Sequence, residues 1–206
     1  MSVAGIIERF LAHPLIYRLH SAGVDRAKQA ALLKYRRDYS GLKVLDLGCG
    51  TGNNTRIFTG AEYTGVDINE RYILLNRKKF PGCRFLSGDA VRLDWGKGYD
   101  VILINSFFHH LSDDQAEIII GRAAGSLADS GVIIVQEPLL PDRDEWYHRL
   151  MMKLDRGACF RSFTHWKDLF SRAGFYADDL RFYSLRILGI RGYHMISMIF
   201  KKRDYS

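Results

Sequence analysis

The stretch Val44–Asn53, with the sequence VLDLGCGTGN, decides the fold. Its first half has the apolar residues of a buried parallel strand, and three glycines follow at alternate positions. Glycine accepts positive φ angles and lets a ligand approach the backbone closely. A strand that continues through such a loop into a helix presents backbone N–H groups at the carboxyl edge of a sheet. The stretch therefore predicts an α/β fold with a ligand crevice at this loop.

Strand-like and helix-like segments alternate from this stretch to about residue 136. Nearly continuous apolar strands in such an alternation indicate a parallel sheet with helices on both faces. Asn69 is a good N-cap, and Ser112 opens a capping box with Gln115. We expect strands over 43–48, 63–68, 83–87, 100–105 and 132–136, with helices over 53–59, over 69–80 and from Ser112.

The end of the chain departs from this alternation. Helix-like segments over 142–156 and 164–173 precede two strand-like runs, 180–188 and 193–201, which are separated by a loop of hairpin length. The fold class predicted is therefore α/β: a doubly wound, seven-stranded, mostly parallel sheet with an antiparallel C-terminal hairpin.

The size and composition of the chain suit one main domain. Its 206 residues favour a helical cap over residues 1–41 and a main domain over 42–206. Its apolar runs are too short to cross a bilayer, and the N-terminus lacks the features of a secretory signal. Three scattered cysteines argue against a disulfide framework, and no spacing of histidines and cysteines suggests a metal site. We therefore expect a cytoplasmic protein that binds no metal.

Positive charge is concentrated in the two flanks of the chain. Residues 1–40 carry a net charge of +4 and residues 141–206 a net charge of +5, whereas residues 41–140 carry −2. If these flanks shape a pocket, they favour an acidic ligand, although ordinary solvated surface would explain the same charges. A nucleic-acid interface usually has denser basic runs.

The run Val44–Gly52 resembles the first motif of the class I S-adenosylmethionine-dependent methyltransferases. The resemblance covers about residues 42–140 by motif and 160–201 by architecture. It implies that residues 42–206 bind S-adenosylmethionine and release S-adenosylhomocysteine as the product. Three later landmarks follow in the order that the family uses: Gly65-Val66-Asp67, Ser87-Gly88-Asp89-Ala90 and Asn105-Ser106-Phe107-Phe108-His109-His110-Leu111.

The resemblance and the chemistry of the residues together assign the cofactor site. Asp46 can balance the ammonium of the cofactor, or it can serve only to order the glycine loop. Asp67 ends the second strand, where a carboxylate can accept both ribose hydroxyls, and Ile68 would pack beside the adenine. By resemblance, Asp89 and Ala90 bind the adenine ring. The predicted cofactor-binding residues are Asp46, Gly48, Cys49, Gly50, Gly52, Asp67, Ile68, Asp89, Ala90, Asn105 and Ser106.

A dinucleotide-binding domain is the rival interpretation of the glycine loop. That fingerprint needs a third small residue where this chain has Asn53. Asp67 would serve either ligand, but Asp89 and the final hairpin favour the methyl donor.

Two histidines are the predicted catalytic residues. In the family pattern a histidine often precedes the leucine of the third landmark, so His110 is the first candidate for a general base and His109 the second. Buried histidines are also common as purely structural residues. The segment Asn105–Phe108 lacks the Asn/Asp-Pro-Pro-aromatic run of many amino-methyltransferases, which disfavours transfer to an exocyclic amine.

We therefore expect methyl transfer to an oxygen or carbon of a small, acidic or lipid-like metabolite. An RNA methyltransferase is the alternative, followed by a non-catalytic protein that binds the cofactor. The arginines of the C-terminal flank could clamp a carboxylate or phosphate, or they could be solvated. The predicted acceptor-contacting residues are Tyr17, Glu137, Trp146, Tyr147, Arg156 and Arg161.

Overall fold

The computed structural model describes residues 26–140, 152, 159–187 and 190–203. Seven strands form one sheet in the described chain: β1 Lys43–Leu47, β2 Glu62–Asp67, β3 Arg84–Ser87, β4 Tyr99–Asn105, β5 Leu127–Pro138, β6 Phe175–Ile187 and β7 Ile190–Lys202. The α-helices are α1 over residues 26–35, α2 Glu70–Lys79, α3 Asp113–Ser126 and α4 Phe163–Arg172. Two 3₁₀ helices, Thr55–Phe58 and Phe108–His110, follow the carboxyl ends of β1 and β4.

The sheet has the strand order β3-β2-β1-β4-β5-β7-β6. Its first five strands pair in parallel, whereas β7 runs antiparallel to both β5 and β6. This arrangement confirms the predicted doubly wound, seven-stranded sheet with an antiparallel C-terminal hairpin.

The two faces of the sheet are covered by different helices. Side chains alternate along a strand, so Val44 and Leu45 of β1 face opposite sides. Val44 packs in a cluster with Leu32 of α1 and Ile73 of α2. Leu45 packs in a second cluster that contains residues of α3 and α4. Because both faces are buried, the central strands are apolar almost throughout, as the sequence predicted.

The local start signals of two helices are formed as predicted. Ser112 and Gln115 make both bonds of the capping box at the start of α3. The side chain of Asn69 accepts a hydrogen bond from the N–H of Arg71 and caps α2. The segment after the glycine loop is different, because it forms the 3₁₀ helix Thr55–Phe58 where an α-helix over 53–59 was predicted.

Two strands begin five residues earlier than predicted. β5 begins at Leu127, which pairs with Tyr99, but regular pairing with β4 resumes only at Val132 opposite Val101. The residues between Leu127 and Val132 therefore form an irregularity inside the strand. β6 begins at Phe175, directly after the α4 helix and Gly174, where the sequence suggested a start near residue 180.

The division into a cap and a main domain stays a prediction. The helix predicted over 142–156 and most of the cap lie outside the described residues. Within the parts of the chain that the structure describes, no helix is long and apolar enough to span a bilayer.

Candidate active site

The glycine loop between β1 and the first 3₁₀ helix folds back onto the end of β2. Gly48, Gly50 and Gly52 have φ angles of +73°, +52° and +72°. The N–H groups of Gly48 and Cys49 both donate to the carbonyl of Val66, at 2.8 and 3.0 Å. The alternate glycines thus permit a tight turn at the carboxyl edge of the sheet, where the sequence predicted one.

The space around the loop distinguishes the three glycines. A Cβ on Gly48 would lie 2.6 Å from the ring of Phe107, and one on Gly52 would lie 2.8 Å from Oδ1 of Asn76. A Cβ on Gly50 would have no described atom within 4 Å. The outer glycines are therefore needed for packing, while the middle one faces open space where a ligand can approach the backbone.

The peptide group of Gly50 is held by two side chains. Its N–H donates to Oδ2 of Asp67 at 2.8 Å, and its carbonyl accepts from Nδ2 of Asn76 at 2.8 Å. Oδ1 of Asp67 accepts from the N–H of Asn69 at 2.8 Å. Asp67 thus orders the loop, and its oxygens have further lone pairs for the two ribose hydroxyls that we expect it to bind.

Asn76 was not among the predicted site residues. It is 1% exposed and lies one turn after Ile73, so it occupies a core-facing position of α2. A polar residue at an inward helical position is the sequence feature that would have marked it.

Asp46 is completely buried at the end of β1. Burial raises its pKa to about 7, although a hydrogen bond from Tyr63 acts in the opposite direction and lowers the pKa. The Tyr63 hydroxyl donates to Oδ2 at 2.7 Å, and the side chain of Asn54 lies close enough to lower the pKa as well, although Oδ1 accepts no hydrogen bond of regular geometry from the described residues. A buried carboxylate oxygen that lacks a donor fits the predicted link to the cofactor's ammonium, made directly or through water.

The remaining predicted adenine contacts lie at the ends of β2 and β3. Ile68 is 75% exposed, so its side chain is accessible to a ligand ring. Oδ1 of Asp89 accepts from the N–H of Val91 at 2.9 Å, and Ala90 is buried beside it. The side chain of Cys49 points into the core, where burial raises its thiol pKa, so it can reach a cofactor only through its backbone.

The end of β4 carries a strained residue that contacts α1. Ser106 has a φ of +51°, which is uncommon for a residue other than glycine, and its N–H donates to the carbonyl of Gln136 at 2.7 Å. Its hydroxyl accepts from Nζ of Lys28 at 2.5 Å. Lys28 was not predicted from the sequence, because only the folded structure brings α1 to this edge.

A buried histidine and glutamate lie just beyond Ser106. Nδ1 of His109 is 2.6 Å from Oε2 of Glu137. Oε1 of Glu137 accepts from the N–H groups of Phe107 and Phe108, at 2.7 and 2.8 Å. Glu137 is 0% exposed and holds His109 and the segment after β4, so its predicted contact with the acceptor stays a prediction.

The two predicted catalytic histidines have different surroundings. His109 is buried, whereas His110 is exposed and its ring lies 4.1 Å from the His109 ring, centroid to centroid. Phe160 stacks on His109 with the ring centroids 5.6 Å apart. Glu137 is hydrogen-bonded to His109. The second candidate, His109, is therefore the one that has the carboxylate partner typical of a catalytic histidine.

Arg161 is also inside the protein. Its guanidinium donates to Oδ1 of Asp113 and to the carbonyls of Phe108 and Leu111, and the residue is 3% exposed. These donors stabilise the loop around His109, so the predicted role of Arg161 as an anion clamp stays a prediction that its bonds inside the protein disfavour. The other predicted acceptor contacts, Tyr17, Trp146, Tyr147 and Arg156, lie outside the described residues.

A family model described as a methyltransferase domain matches residues 17–180 of this chain. Three trans-aconitate 2-methyltransferases are among its relatives. The one from Variovorax paradoxus is 32% identical over 68% of this chain and 54% of its own length. The one from Paracidovorax citrulli is 28% identical over 88% and 65%, and the one from Escherichia coli is 30% identical over 82% and 70%. The chain thus spans between about half and two thirds of the length of most of these relatives.

Solved structures show the same fold. A 1,6-didemethyltoxoflavin-N1-methyltransferase from Burkholderia thailandensis, solved with bound 1,6-didemethyltoxoflavin and S-adenosylhomocysteine, is 22% identical with a TM-score of 0.68 over 87% of this chain and 78% of its own. A TehB-like methyltransferase from Corynebacterium glutamicum is 20% identical with a TM-score of 0.63 over 85% and 87%.

Proposed function

Because the chain belongs to the class I S-adenosylmethionine-dependent methyltransferases, we propose that it transfers a methyl group to an oxygen of a small acidic metabolite. S-adenosylmethionine is its cofactor, and the relatives support a small-molecule acceptor. Beyond the family and the cofactor, we propose that the acceptor is acidic and that the methyl group is transferred to oxygen.

The contact between His109 and Glu137 is the observation that carries this proposal. An ionised carboxylate can only accept hydrogen bonds, so Nδ1 of His109 is the donor in the 2.6 Å contact, and in the neutral imidazole the lone pair is then on Nε2. Such an imidazole can take a proton from a hydroxyl group as a methyl group arrives. Both residues lie at the carboxyl ends of neighbouring strands, the edge at which α/β sheets bind ligands.

The tasks of the protein follow from the chemistry that the cofactor supplies. When bound, S-adenosylmethionine offers a methyl group on a positively charged sulfur that is already activated. The glycine loop, Asp67 and Asp46 bind and orient that group, while the opposite half of the sheet edge aligns the acceptor oxygen. Alignment can contribute about 7–11 kcal/mol to the lowering of the barrier. Where the acceptor is a hydroxyl oxygen, Nε2 of His109 receives its proton and Glu137 stabilises the resulting imidazolium, whereas an ionised carboxylate oxygen has no proton to lose.

Two observations support an acidic acceptor. The relatives are named for trans-aconitate, which is a tricarboxylic acid. The flanks of this chain carry its excess of positive charge, and positive charge around a site attracts anionic substrates.

The test is transfer of a labelled methyl group from S-adenosylmethionine to a panel of acceptors. The panel contains trans-aconitate, small hydroxy acids and their neutral esters, with tRNA and rRNA in parallel. We expect turnover of an acid, and NMR of the product distinguishes an O-methyl from a C-methyl group. Turnover of RNA alone would contradict the proposal.

The variants His109→Ala and Glu137→Gln test the base. We expect His109→Ala to lower kcat by about 10²- to 10⁴-fold while the protein still binds S-adenosylhomocysteine. Glu137→Gln should lower kcat and displace its pH profile, because the amide cannot balance an imidazolium. The matched variant His110→Ala should keep kcat close to the wild-type value. A normal rate in His109→Ala at every pH would remove that residue as the base.

A further inference from the structure

Helix α1 is bound to one half of the sheet edge. Nζ of Lys28 donates to the hydroxyl of Ser106, and the carbonyl of Lys28 accepts from Nε2 of Gln136 at 3.1 Å. Ser106 follows β4, and Gln136 lies near the end of β5. In the sheet, β4 and β5 are separated by β1 from β2 and β3, the strands that carry Asp67 and precede Asp89. The Lys28 ammonium therefore lies where the cofactor contacts predicted at Asn105 and Ser106 meet the half of the edge that we propose for the acceptor.

We infer that Lys28 binds a carboxylate of the methyl acceptor, an inference that rests on the proposed function. An ammonium has three donors, so Lys28 can bond Ser106 and an anion together. The contact is partly buried, which weakens screening by water and strengthens the attraction between a cation and a carboxylate. Lys28 was not predicted from the sequence, and it is the cation that the described residues place at the end of β4.

The same place presents two buried acceptor atoms. Gln136 is paired with Asn105 across β4 and β5. Oε1 of Gln136 and Oδ1 of Asn105 are both buried, and neither has a hydrogen-bond partner within the part of the chain that the structure describes. Buried polar atoms normally have a partner, so these two oxygens point to a ligand that brings donors of its own. A cation beside two acceptor oxygens suits a molecule with both a carboxylate and a hydroxyl group.

The course of the chain connects the group formed by Lys28, Asn105 and Gln136 to the proposed base. Ser106 and His109 are the two ends of one short segment, and Glu137 holds its middle through the N–H groups of Phe107 and Phe108. An acceptor bound through its carboxylate at Lys28 would therefore have a second group near His109. The substrate class assigned is a small hydroxy acid that is methylated on the hydroxyl oxygen.

Binding of acids to the protein loaded with S-adenosylhomocysteine tests this inference. The probes for calorimetry are trans-aconitate, citrate, 2-hydroxybenzoate and 3-hydroxybenzoate, each beside its methyl ester. We expect at least one acid to bind, and Lys28→Gln to weaken its binding by about 10- to 100-fold, as for the loss of a charged hydrogen bond. Lys28→Arg should recover much of the affinity. Binding of the esters should change little in either variant.

A control and a second ligand separate the possible sources of the carboxylate. Lys34→Gln removes an exposed lysine from the same helix and should leave acid binding unchanged. S-adenosylhomocysteine also carries a carboxylate, so its affinity is measured in every variant. If Lys28→Gln weakens binding of the cofactor product but not of the acid, Lys28 serves the cofactor and the inference is wrong.

Two other outcomes overturn the inference and leave the proposed function standing. One is that none of the four acids binds the loaded wild-type protein while the labelled-methyl assay still shows turnover. The other is that Lys28→Gln keeps wild-type KM and kcat for the acid that is turned over. Absence of methyl transfer to every member of the acceptor panel would instead count against the proposed function.

Discussion

The hydroxyl of Tyr63 donates a hydrogen bond to Oδ2 of Asp46 across 2.7 Å, between two side chains that are almost fully buried. Burial disfavours the charged form of both groups. It raises the pKa of Tyr63 well above the ordinary value and that of Asp46 from 3.8 to about 7. A carboxyl group at the start of the cofactor loop thus titrates near neutral pH.

This pKa predicts a pH dependence of stability. Between about pH 4 and pH 7 the folded protein keeps a proton on Asp46 that the unfolded chain releases. The stability that this group contributes is fully present below the unfolded pKa of 3.8 and is lost as the pH rises through about 7. The loss amounts to about 4 kcal/mol at most. Asp46→Asn should remove this dependence.

Urea unfolding at pH 4.5, 6 and 7.5 measures the effect. The free energy of unfolding of Asp46→Asn, relative to wild type, should increase steadily across this series. Parallel pH curves for the two proteins would show that Asp46 has an ordinary pKa in the folded state.

Alanine at Gly48 and at Gly50 should have different effects. Both positions have positive φ, at +73° and +52°, so each substitution costs about 1–2 kcal/mol of backbone strain. At Gly48 the new methyl group also meets the Phe107 ring at 2.6 Å, which adds about 1–3 kcal/mol. At Gly50 it enters the open side of the loop. Gly50→Ala should therefore lose less stability, but its affinity for S-adenosylhomocysteine should fall by at least about tenfold.

Urea unfolding and calorimetry separate these two effects. Gly121→Ala is the control, because Gly121 lies in α3 with no described atom near its Cβ position, and helix propensity should make this variant slightly more stable. Equal losses of stability at Gly48 and Gly50 would contradict the assignment of Gly50 to the ligand side.

Arg161→Lys should destabilise the protein in spite of the retained charge. The guanidinium bonds Asp113 and several carbonyls at once, which an ammonium cannot reproduce. We expect a loss of about 2–4 kcal/mol in the free energy of unfolding. The hydrogen bond from Arg161 is the main cause of the lowered pKa of Asp113, so that pKa should rise towards its ordinary value in an NMR titration.

The exposed ion pair between Arg172 and Glu117, at 2.8 Å, provides the matched control. Arg172→Lys should change the free energy of unfolding by less than about 0.5 kcal/mol. A similar small effect at position 161 would show that Arg161 does not organise the loop around His109.

The fold was predictable because it depends on local patterns. The apolar run before Gly48, the N-cap at Asn69 and the capping box at Ser112 each specify their own element, and the alternation of elements specifies the sheet. The start of β5 was missed because Leu127 follows α3 directly and pairs with Tyr99 across the sheet. Such a pairing depends on a distant strand, so no local pattern reports it.

The site was only partly predictable, for the same physical reason. Asp46, Asp67 and the glycines follow from one motif and its spacing. Lys28 and Ser106 are 78 positions apart in the sequence, so the role of Lys28 depends on how α1 packs. Arg161 and Glu137 were predicted at the site for their charge, but their burial and hydrogen bonds are set by tertiary structure. Charge identifies candidates, and only packing shows which way each side chain faces.

Asn76 and Asp67 fix the Gly50 peptide before any ligand arrives. The loss of backbone entropy at this loop is therefore part of folding, and a nucleoside that enters the crevice meets a surface that is already ordered. Association at the loop should be limited by diffusion and desolvation, without a slow rearrangement of the polypeptide. Any slow phase in the catalytic cycle would then originate elsewhere in the molecule. One candidate is the set of contacts that α1 makes with the ends of β4 and β5.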